Sequence, residues 1–127
     1  MEHQTIILCD TNIIIEVYKE NQRIINILEN IGQNKIAISN VTCAELLYGA
    51  RNKNELQLIK KDLKKLIVYP INETISTDAV SLIEKFSLSN NLNLPDALIA
   101  ATSIYYNVNL YTLNKKDFKY IDKLILF

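Results

Sequence analysis

The clearest indication of the fold is the sequence Thr5-Ile-Ile-Leu-Cys-Asp-Thr-Asn12. Residues 5–9 are rich in β-branched and apolar side chains, and the run stops at Asp10. Such runs are typical of a strand buried on both faces, as in a parallel sheet. Residues 11–31 then place isoleucine, valine and leucine at spacings of three and four, which predicts a helix. A buried strand that passes through Asp10 into a helix indicates an α/β fold.

The alternation of strands and helices continues along the chain. Further strands are predicted at 35–39, 67–71 and 109–112, and 123–127 is compatible with a fifth. Helices are predicted at 41–51, 53–66, 73–91 and 95–107, and the last, opened by Pro95, should be the most buried because it is apolar nearly all round. This order implies an α/β three-layer α/β/α sandwich with a central parallel sheet of four to five strands. The active site of such a sheet lies beyond the carboxyl ends of its strands.

Length and composition point to one domain, residues 1–127, with a substantial core. Hydrophobic residues make up 49% of the 127, and two glycines and two prolines leave no room for a flexible linker. Two cysteines cannot make a structural zinc site unaided, and a disulfide framework is not expected with this much core. We find no signal peptide in the first ten residues and no apolar stretch long enough to span a bilayer. A soluble, cytoplasmic protein is expected.

The formal charge of zero, from 14 basic and 14 acidic residues, conceals two basic stretches. If four carboxylates serve a site, the remaining side chains carry a net charge of +4. Clustered lysines and arginines can attract a polyanion, although solvated helix faces explain them as well. The two stretches comprise Arg51, Lys53, Lys60, Lys61, Lys64 and Lys65, and Lys115, Lys116, Lys119 and Lys123.

Four acidic residues are placed to meet at one edge of the predicted sheet. Asp10 follows the first strand, Glu45 lies one turn into the helix after the second, Asp96 opens the buried helix and Asp117 follows the fourth strand. Each also has a structural explanation: a helix cap for Asp10, a Thr42-x-x-Glu45 capping box, a first-turn acid for Asp96 and a turn residue for Asp117. A single mechanism accounts for all four together.

That mechanism is metal-assisted hydrolysis of a phosphodiester. Mg²⁺ prefers oxygen ligands and typically takes a few carboxylates, leaving other positions to water and substrate phosphate. Bound metal lowers the pKa of its water and neutralises charge on the phosphoryl group, so neither a histidine nor a nucleophilic side chain is needed. The sole histidine, His3, near the terminus, is considered incidental.

Four blocks, in order, resemble the PIN domain family. They are Asp10-Thr11-Asn12 after a hydrophobic strand, then Ser39-Asn-Val-Thr-Cys-Ala-Glu45-Leu, Leu94-Pro-Asp96-Ala-Leu-Ile-Ala-Ala101 and Tyr111-Thr112-Leu-Asn114-Lys-Lys-Asp117-Phe118. No block is specific alone, but their order and spacing cover the whole chain. The minimal length is similar to that of the VapC-type toxins within the family.

The resemblance implies an endoribonuclease that depends on Mg²⁺, or on Mn²⁺ in its place. Asp10 and Asp96 would bind the metal directly, while Glu45 and Asp117 would complete the pocket or act through water. Family members differ in whether the fourth oxygen comes from the position of Asn114 or of Asp117, and charge favours Asp117. Four polar residues would have supporting roles, in orienting ligands or the attacking water: Thr11, Asn12, Thr112 and Asn114. Three small residues would let the buried helix approach the sheet closely: Ala97, Ala100 and Ala101.

The resemblance also implies partners: an RNA substrate, a second copy of the chain in a homodimer, and a VapB-like antitoxin whose tail blocks the active site. No motif selects which RNA is cut. A PIN nuclease that processes RNA without a toxin role would have the same site residues. A catalytically inactive PIN-fold binding module would usually lack some of the four acids. A phosphatase or phosphotransfer receiver would need a second acid beside Asp10, where Thr11 stands.

Overall fold

The computed structural model describes residues 5–127. Residues 1–4, which include His3 and the beginning of the segment considered for a signal peptide, lie outside them. The strands are β1 (Ile7–Cys9), β2 (Ile36–Ser39), β3 (Ile67–Tyr69) and β4 (Asn109–Tyr111). The helices are α1 (Thr11–Tyr18), α2 (Gln22–Ile31), α3 (Asn40–Tyr48), α4 (Lys53–Leu63), α5 (Glu73–Asn90) and α6 (Leu94–Tyr106), with short 3₁₀ turns at Gln33–Lys35 and Lys115–Asp117.

The four strands form one parallel sheet in the order β3-β2-β1-β4. Beyond β4 the carboxyl-terminal segment adds a rudimentary fifth strand. Leu110 pairs there with Leu126 in parallel, its N–H donates to the Ile125 carbonyl at 2.9 Å, and its carbonyl accepts from the Phe127 N–H at 2.8 Å. The predicted parallel α/β fold of four to five strands is therefore confirmed.

Side chains of the central strands alternate between two buried faces. Ile7 and Cys9 of β1 join a cluster with α1 to α4, whereas Leu8 points to the opposite cluster with Ile99 of α6. α5 packs outside α6 in a third cluster. This alternation is the reason that β1 reads as a continuous apolar run, since neither face meets solvent.

The helix predicted for 11–31 is broken into α1 and α2. Glu20 adopts a left-handed backbone with φ of 60°, and the Asn21 side chain accepts a hydrogen bond from the Ile24 N–H at 3.4 Å, which starts α2. Asn is a favoured N-cap because its side-chain oxygen replaces a missing backbone acceptor. The unbroken-helix prediction is wrong here because apolar spacing stays in phase across the turn.

Helix α6 is as buried as its composition predicts, but its alanines pack against two different neighbours. Ala100 packs in the cluster that contains the sheet residues Leu8 and Leu110. Ala97 and Ala101 lie instead in the cluster shared with α5. The expectation that all three serve the approach to the sheet is corrected, since two of them permit close packing of α5 on α6. No helix within residues 5–127 combines the length and apolarity needed to traverse a bilayer.

Candidate active site

Asp10 lies directly after β1, at the carboxyl end of the sheet, and only 6% of it is exposed. Its Oδ1 accepts a hydrogen bond from the Thr11 N–H at 2.8 Å, which caps α1, and its Oδ2 accepts one from the Thr112 hydroxyl at 2.8 Å. Burial raises the Asp10 pKa, with smaller contributions from the charges of Glu45 and Asp117, while the two hydrogen bonds oppose the rise. Asp10 is therefore both a helix cap and a carboxylate that resists ionisation.

Thr112 links the ends of β1 and β4. Because its proton goes to Asp10, its oxygen is free to accept the Asn114 N–H at 3.1 Å and the Asn12 side-chain amide at 3.5 Å. The Asn12 carbonyl oxygen in turn accepts the Leu113 N–H at 3.4 Å. The predicted supporting residues Asn12 and Thr112 thus hold the Asp10 carboxylate in place, while Asn114 takes part through its backbone.

Glu45 reaches the same edge from α3. Its Oε1 accepts a hydrogen bond from the Thr11 hydroxyl at 2.6 Å, and the Thr11 oxygen lies 2.9 Å from the Thr42 hydroxyl oxygen. Thr11 has a single hydroxyl proton and gives it to Glu45, so Thr42 must be the donor in the second contact. The order of donation runs from fully buried Thr42 through Thr11 to Glu45.

Thr42 is a site residue that the sequence reading assigned differently. The Thr42-x-x-Glu45 pattern suggested a capping box, but α3 begins at Asn40 and its N-cap is Ser39, whose hydroxyl oxygen accepts the Val41 N–H at 3.0 Å. Thr42 lies inside the helix and directs its hydroxyl at Thr11. The only sequence signal was the spacing of Thr42 and Glu45, which puts both side chains on one face of α3.

Asp96 occupies the first turn of α6, where its N–H donates to the Asn93 cap at 3.0 Å. Its pKa rises from 3.8 to about 6, first because of burial and then because of the charges of Asp10, Asp117 and Glu45. Asp117 ends the 3₁₀ turn Lys115–Asp117 and is exposed. The four acids contributed by separate parts of the chain therefore lie within electrostatic reach of one another.

The acidic site is not neutralised by basic side chains. The salt bridges within residues 5–127 join Lys19 to Glu16, Arg51 to Glu55 and Lys65 to Asp62, and they involve none of the four site acids. Uncompensated like charges in a partly dehydrated pocket favour either a proton or a bound cation.

The oxygen-only donor set suits Mg²⁺ or Mn²⁺. No three histidine, cysteine, aspartate or glutamate side chains among residues 5–127 are arranged as a ready-made metal cage. Mg²⁺ does not require one, since it usually retains several waters and binds through one or two carboxylates. Asp10 and Asp96 fit this role because Asp10 is buried, Asp96 is half-buried, and the charges of other site acids raise the pKa of each.

A small cavity of about 140 Å³ adjoins the acids. Its walls are residues 90–93, which connect α5 to α6, together with Asp96, Asp117 and Tyr120. The Tyr120 hydroxyl is buried and has no hydrogen-bond partner among the described residues. Sequence reasoning did not single out Tyr120, because a lone tyrosine near a chain end carries no motif.

Comparisons with known proteins agree with this architecture. The PIN domain family model matches residues 7–124. A chain of a toxin–antitoxin complex from Klebsiella pneumoniae is 30% identical, with a TM-score of 0.78 over 93% of this chain and 94% of that one. A chain of VapBC2 from Rickettsia felis, solved bound to a promoter DNA fragment, is 28% identical, with a TM-score of 0.81 over 97% and 98%.

A chain of VapBC-1 from nontypeable Haemophilus influenzae is 26% identical, with a TM-score of 0.81 over 97% of both chains. The comparison with curated protein sequences yields no match. The family model spans nearly all of the described residues, from β1 to the segment after β4, and the solved structures align over almost their entire length. The chain belongs to the PIN domain family.

Proposed function

We propose that this protein is a Mg²⁺-dependent endoribonuclease, with Mn²⁺ able to replace Mg²⁺. The observation that carries the proposal is geometric: Thr11 hydrogen-bonds both Asp10 and Glu45 at the carboxyl edge of the sheet, where Asp96 and Asp117 lie within electrostatic reach. None of these four acids takes part in a salt bridge within residues 5–127. Asp10 and Asp96 would hold the metal, and Glu45 and Asp117 would complete the pocket or act through water. When bound, the metal would activate water and neutralise charge on the scissile phosphate.

The chain's own residues position these groups. Thr112 and the Thr11 N–H fix both oxygens of Asp10, so its carboxylate cannot rotate away from the site. The Thr11 hydroxyl holds one oxygen of Glu45. The other oxygen of Glu45 remains able to accept a proton from an attacking water, which is a general-base role.

The basic residues support a polyanionic substrate. Lys115 and Lys116 precede Asp117 in the same 3₁₀ turn, Lys119 follows it, and all three are exposed. Cations beside an acidic site attract the phosphate backbone that the carboxylates alone would repel. RNA is our proposed substrate, and the cytoplasm is then the compartment in which the enzyme would act.

We further propose that the protein is the toxin of a toxin–antitoxin pair and forms a homodimer. Support comes from the solved structures that it resembles, which are complexes of this type in Klebsiella pneumoniae, Rickettsia felis and Haemophilus influenzae. Expression of the chain alone should arrest growth, and co-expression of a VapB-like antitoxin should restore it. A healthy culture that accumulates active enzyme would favour an RNA-processing nuclease without a toxin role.

An apolar groove is suited to the antitoxin. It has a volume of about 470 Å³ and is lined by side chains of α1, α2, α4 and the segment after α4. Val17, Leu28 and Leu66 are among its apolar residues, and Asp62 and Lys65 are among its polar ones. An amphipathic helix could lay its apolar face there. Helix α1 runs from the acidic site to this groove and spans about 12 Å, a distance that roughly four extended residues could cover. An antitoxin tail that leaves the groove could therefore block the site.

Leu28→Asp tests the groove separately from the nuclease activity. We expect the variant to lose antitoxin binding, because the substitution puts a charge into an apolar surface. It should still cleave RNA at the normal rate. Leu88→Asp is the matched control, since Leu88 is fully exposed on α5 and lies outside the groove. Normal antitoxin binding by folded Leu28→Asp would place the partner elsewhere.

The nuclease proposal itself is tested with purified protein and total RNA. Incubation with Mg²⁺ should produce discrete fragments, whereas excess chelator or the Asp10→Ala substitution should leave the RNA intact. RNA that stays intact with both Mg²⁺ and Mn²⁺ would contradict the enzymatic function and favour a binding module. Fragments that still form in excess chelator would contradict the metal mechanism.

A further inference from the structure

Helix α4 carries a row of lysines along one side. Lys53, Lys60 and Lys64 follow one another at spacings of seven and four residues, which places them within an arc of about 60° around the helix. All three are exposed, and Gln57, which lies between Lys53 and Lys60 on the same side, is exposed and uncharged. We call these three residues the lysine row. It extends over about 16 Å of the helix axis.

The opposite side of α4 is fixed in the protein core. Ile59 and Leu63 are buried in the cluster that α4 shares with α1, α2 and α3. The helix therefore cannot roll, and the lysine row stays directed at solvent. Because the apolar side of α4 is already covered, the helix has no free apolar face with which to enter a membrane surface.

The charges of the lysine row are not neutralised by neighbouring acids. The two acids of α4 are engaged elsewhere: Glu55 pairs with Arg51 at 3.0 Å, and Asp62 pairs with Lys65 at 3.9 Å. No member of the row takes part in a salt bridge within residues 5–127. The row is thus a line of free positive charge on the surface.

The stability of α4 does not account for this arrangement. The helix dipole favours positive charge near the carboxyl end, where Lys60 and Lys64 lie, but it disfavours Lys53, which opens the helix. Lys60 and Lys64 are also four residues apart, a spacing at which like charges repel each other. An anionic partner along the row would relieve both effects.

The connection between α3 and α4 limits how far the row lies from the acidic site. Glu45 is three residues before Tyr48, where α3 ends, and Lys53 opens α4 five residues later. Chain geometry keeps the Cα atoms of Glu45 and Lys53 within about 22 Å of each other. Lys64 is three residues before Ile67, which opens β3 at the amino end of the sheet. The row therefore begins within reach of the site and leads toward the opposite edge of the sheet.

We propose that the lysine row binds the phosphate backbone of the RNA substrate at nucleotides away from the cleaved bond. The choice of RNA as the partner rests on the nuclease function proposed above. A line of exposed cations suits a chain of evenly spaced phosphates, and such contacts attract RNA of any sequence. The row then contributes to substrate affinity and has no part in the chemical step.

The test measures the Kd of a fluorescent single-stranded RNA in excess chelator over a range of salt concentrations. The double substitution Lys60→Gln/Lys64→Gln should weaken binding about tenfold at low salt. The slope of log Kd against log salt should fall by about 1.4, because each phosphate contact on a single strand contributes about 0.7. Lys19→Gln/Lys85→Gln is the control with the same change in net charge. It removes exposed lysines from the end of α1 and from α5 and should keep the wild-type slope.

Lys53→Gln separates RNA binding from a structural role. The substitution removes a cation that the α4 dipole disfavours, so the variant should melt no lower than wild type. Its salt slope should nevertheless fall by about 0.7. A folded Lys53→Gln protein with the wild-type slope would exclude Lys53 from the RNA-binding surface.

Cleavage assays distinguish failure of the lysine row from failure of the nuclease. The loss of kcat/KM in Lys60→Gln/Lys64→Gln should grow with RNA length, because only a long strand reaches from the acidic site to the row. Weaker RNA binding by this variant, with no cleavage by any of the proteins, would overturn the nuclease function and support the row. Wild-type affinity and slope in Lys60→Gln/Lys64→Gln, or an equal loss in Lys19→Gln/Lys85→Gln, would overturn the row as an RNA-binding surface.

Discussion

Replacing Asp96 with Asn should stabilise the metal-free protein near neutral pH. Burial and neighbouring charges raise the Asp96 pKa from 3.8 to about 6. At about 1.4 kcal/mol for each pKa unit, the full shift corresponds to about 3 kcal/mol. Asp96 is only half-buried, so solvent screening reduces the cost of its ionisation in the folded chain to about 1–2 kcal/mol. Asp96→Asn removes this cost and should therefore unfold less readily than wild type. The substitution also removes the favourable interaction of the carboxylate with the α6 dipole, typically 0.3–1 kcal/mol, which offsets part of the gain in stability.

The direction of the pH dependence follows from the raised folded-state pKa. Below the unfolded value of 3.8 the carboxyl is protonated in both states and costs nothing. As the pH rises toward about 6 the unfolded chain ionises first, so the free energy of unfolding falls until the folded carboxyl ionises as well. The stabilisation of Asp96→Asn over wild type should therefore appear across this window and stay constant above it.

Thermal melts in excess chelator measure this effect. A gain of about 1–2 kcal/mol should raise the melting temperature of Asp96→Asn by roughly 4–8 °C near neutral pH. The rise should lie toward the lower end of this range, because the substitution also removes the favourable interaction of the carboxylate with the α6 dipole. Near pH 4 the two proteins should melt together. Asp78→Asn, an exposed substitution on α5, is the control and should change little at either pH. An Asp96→Asn protein that melts below wild type near neutral pH would show that Asp96 is a structural first-turn acid.

Three further predictions concern the same site. Thr42→Val keeps the side-chain shape but removes the hydroxyl that donates to Thr11. The kcat for RNA cleavage should therefore fall about tenfold with KM nearly unchanged, whereas a normal kcat would mean that Thr42 only fills space. Mg²⁺ should raise the melting temperature of wild type and do so less for Asp96→Asn, and equal shifts would place the metal elsewhere. Glu45→Gln should cost less cleavage than Asp10→Ala, whereas equal losses measured in the same RNA assay would mean that Glu45 ligates directly.

The layered fold could be predicted from sequence because burial on both faces leaves a clear pattern. The apolar run that ends at Asp10 predicted β1, and its side chains do alternate between two buried clusters. Placing Asp10, Glu45, Asp96 and Asp117 near one another required only the rule that parallel strands end at a common edge. The charges of Glu45 and Asp117 raise the pKa of both Asp10 and Asp96, which agrees with that placement.

The remaining features depend on contacts between distant positions, and local patterns do not report these. The break between α1 and α2 could not be predicted from the apolar spacing, because that spacing continues through Glu20. Asn21 was the one local signal, as a residue that commonly caps helices. Thr42 looked like a cap because the hydroxyl of Thr11, its actual partner, lies 31 residues earlier. The cavity at Tyr120 forms only when the α5–α6 connection meets the segment after β4.

The proposed metal site is best tested by the Mg²⁺ dependence of RNA cleavage by wild type and Asp96→Ala under single-turnover conditions. The wild-type rate should rise with Mg²⁺ and fall to background in excess chelator. Folded Asp96→Ala should show no cleavage above background at any Mg²⁺ concentration. Wild-type rates in Asp96→Ala, or wild-type cleavage that persists in excess chelator, would contradict a metal site built on these carboxylates.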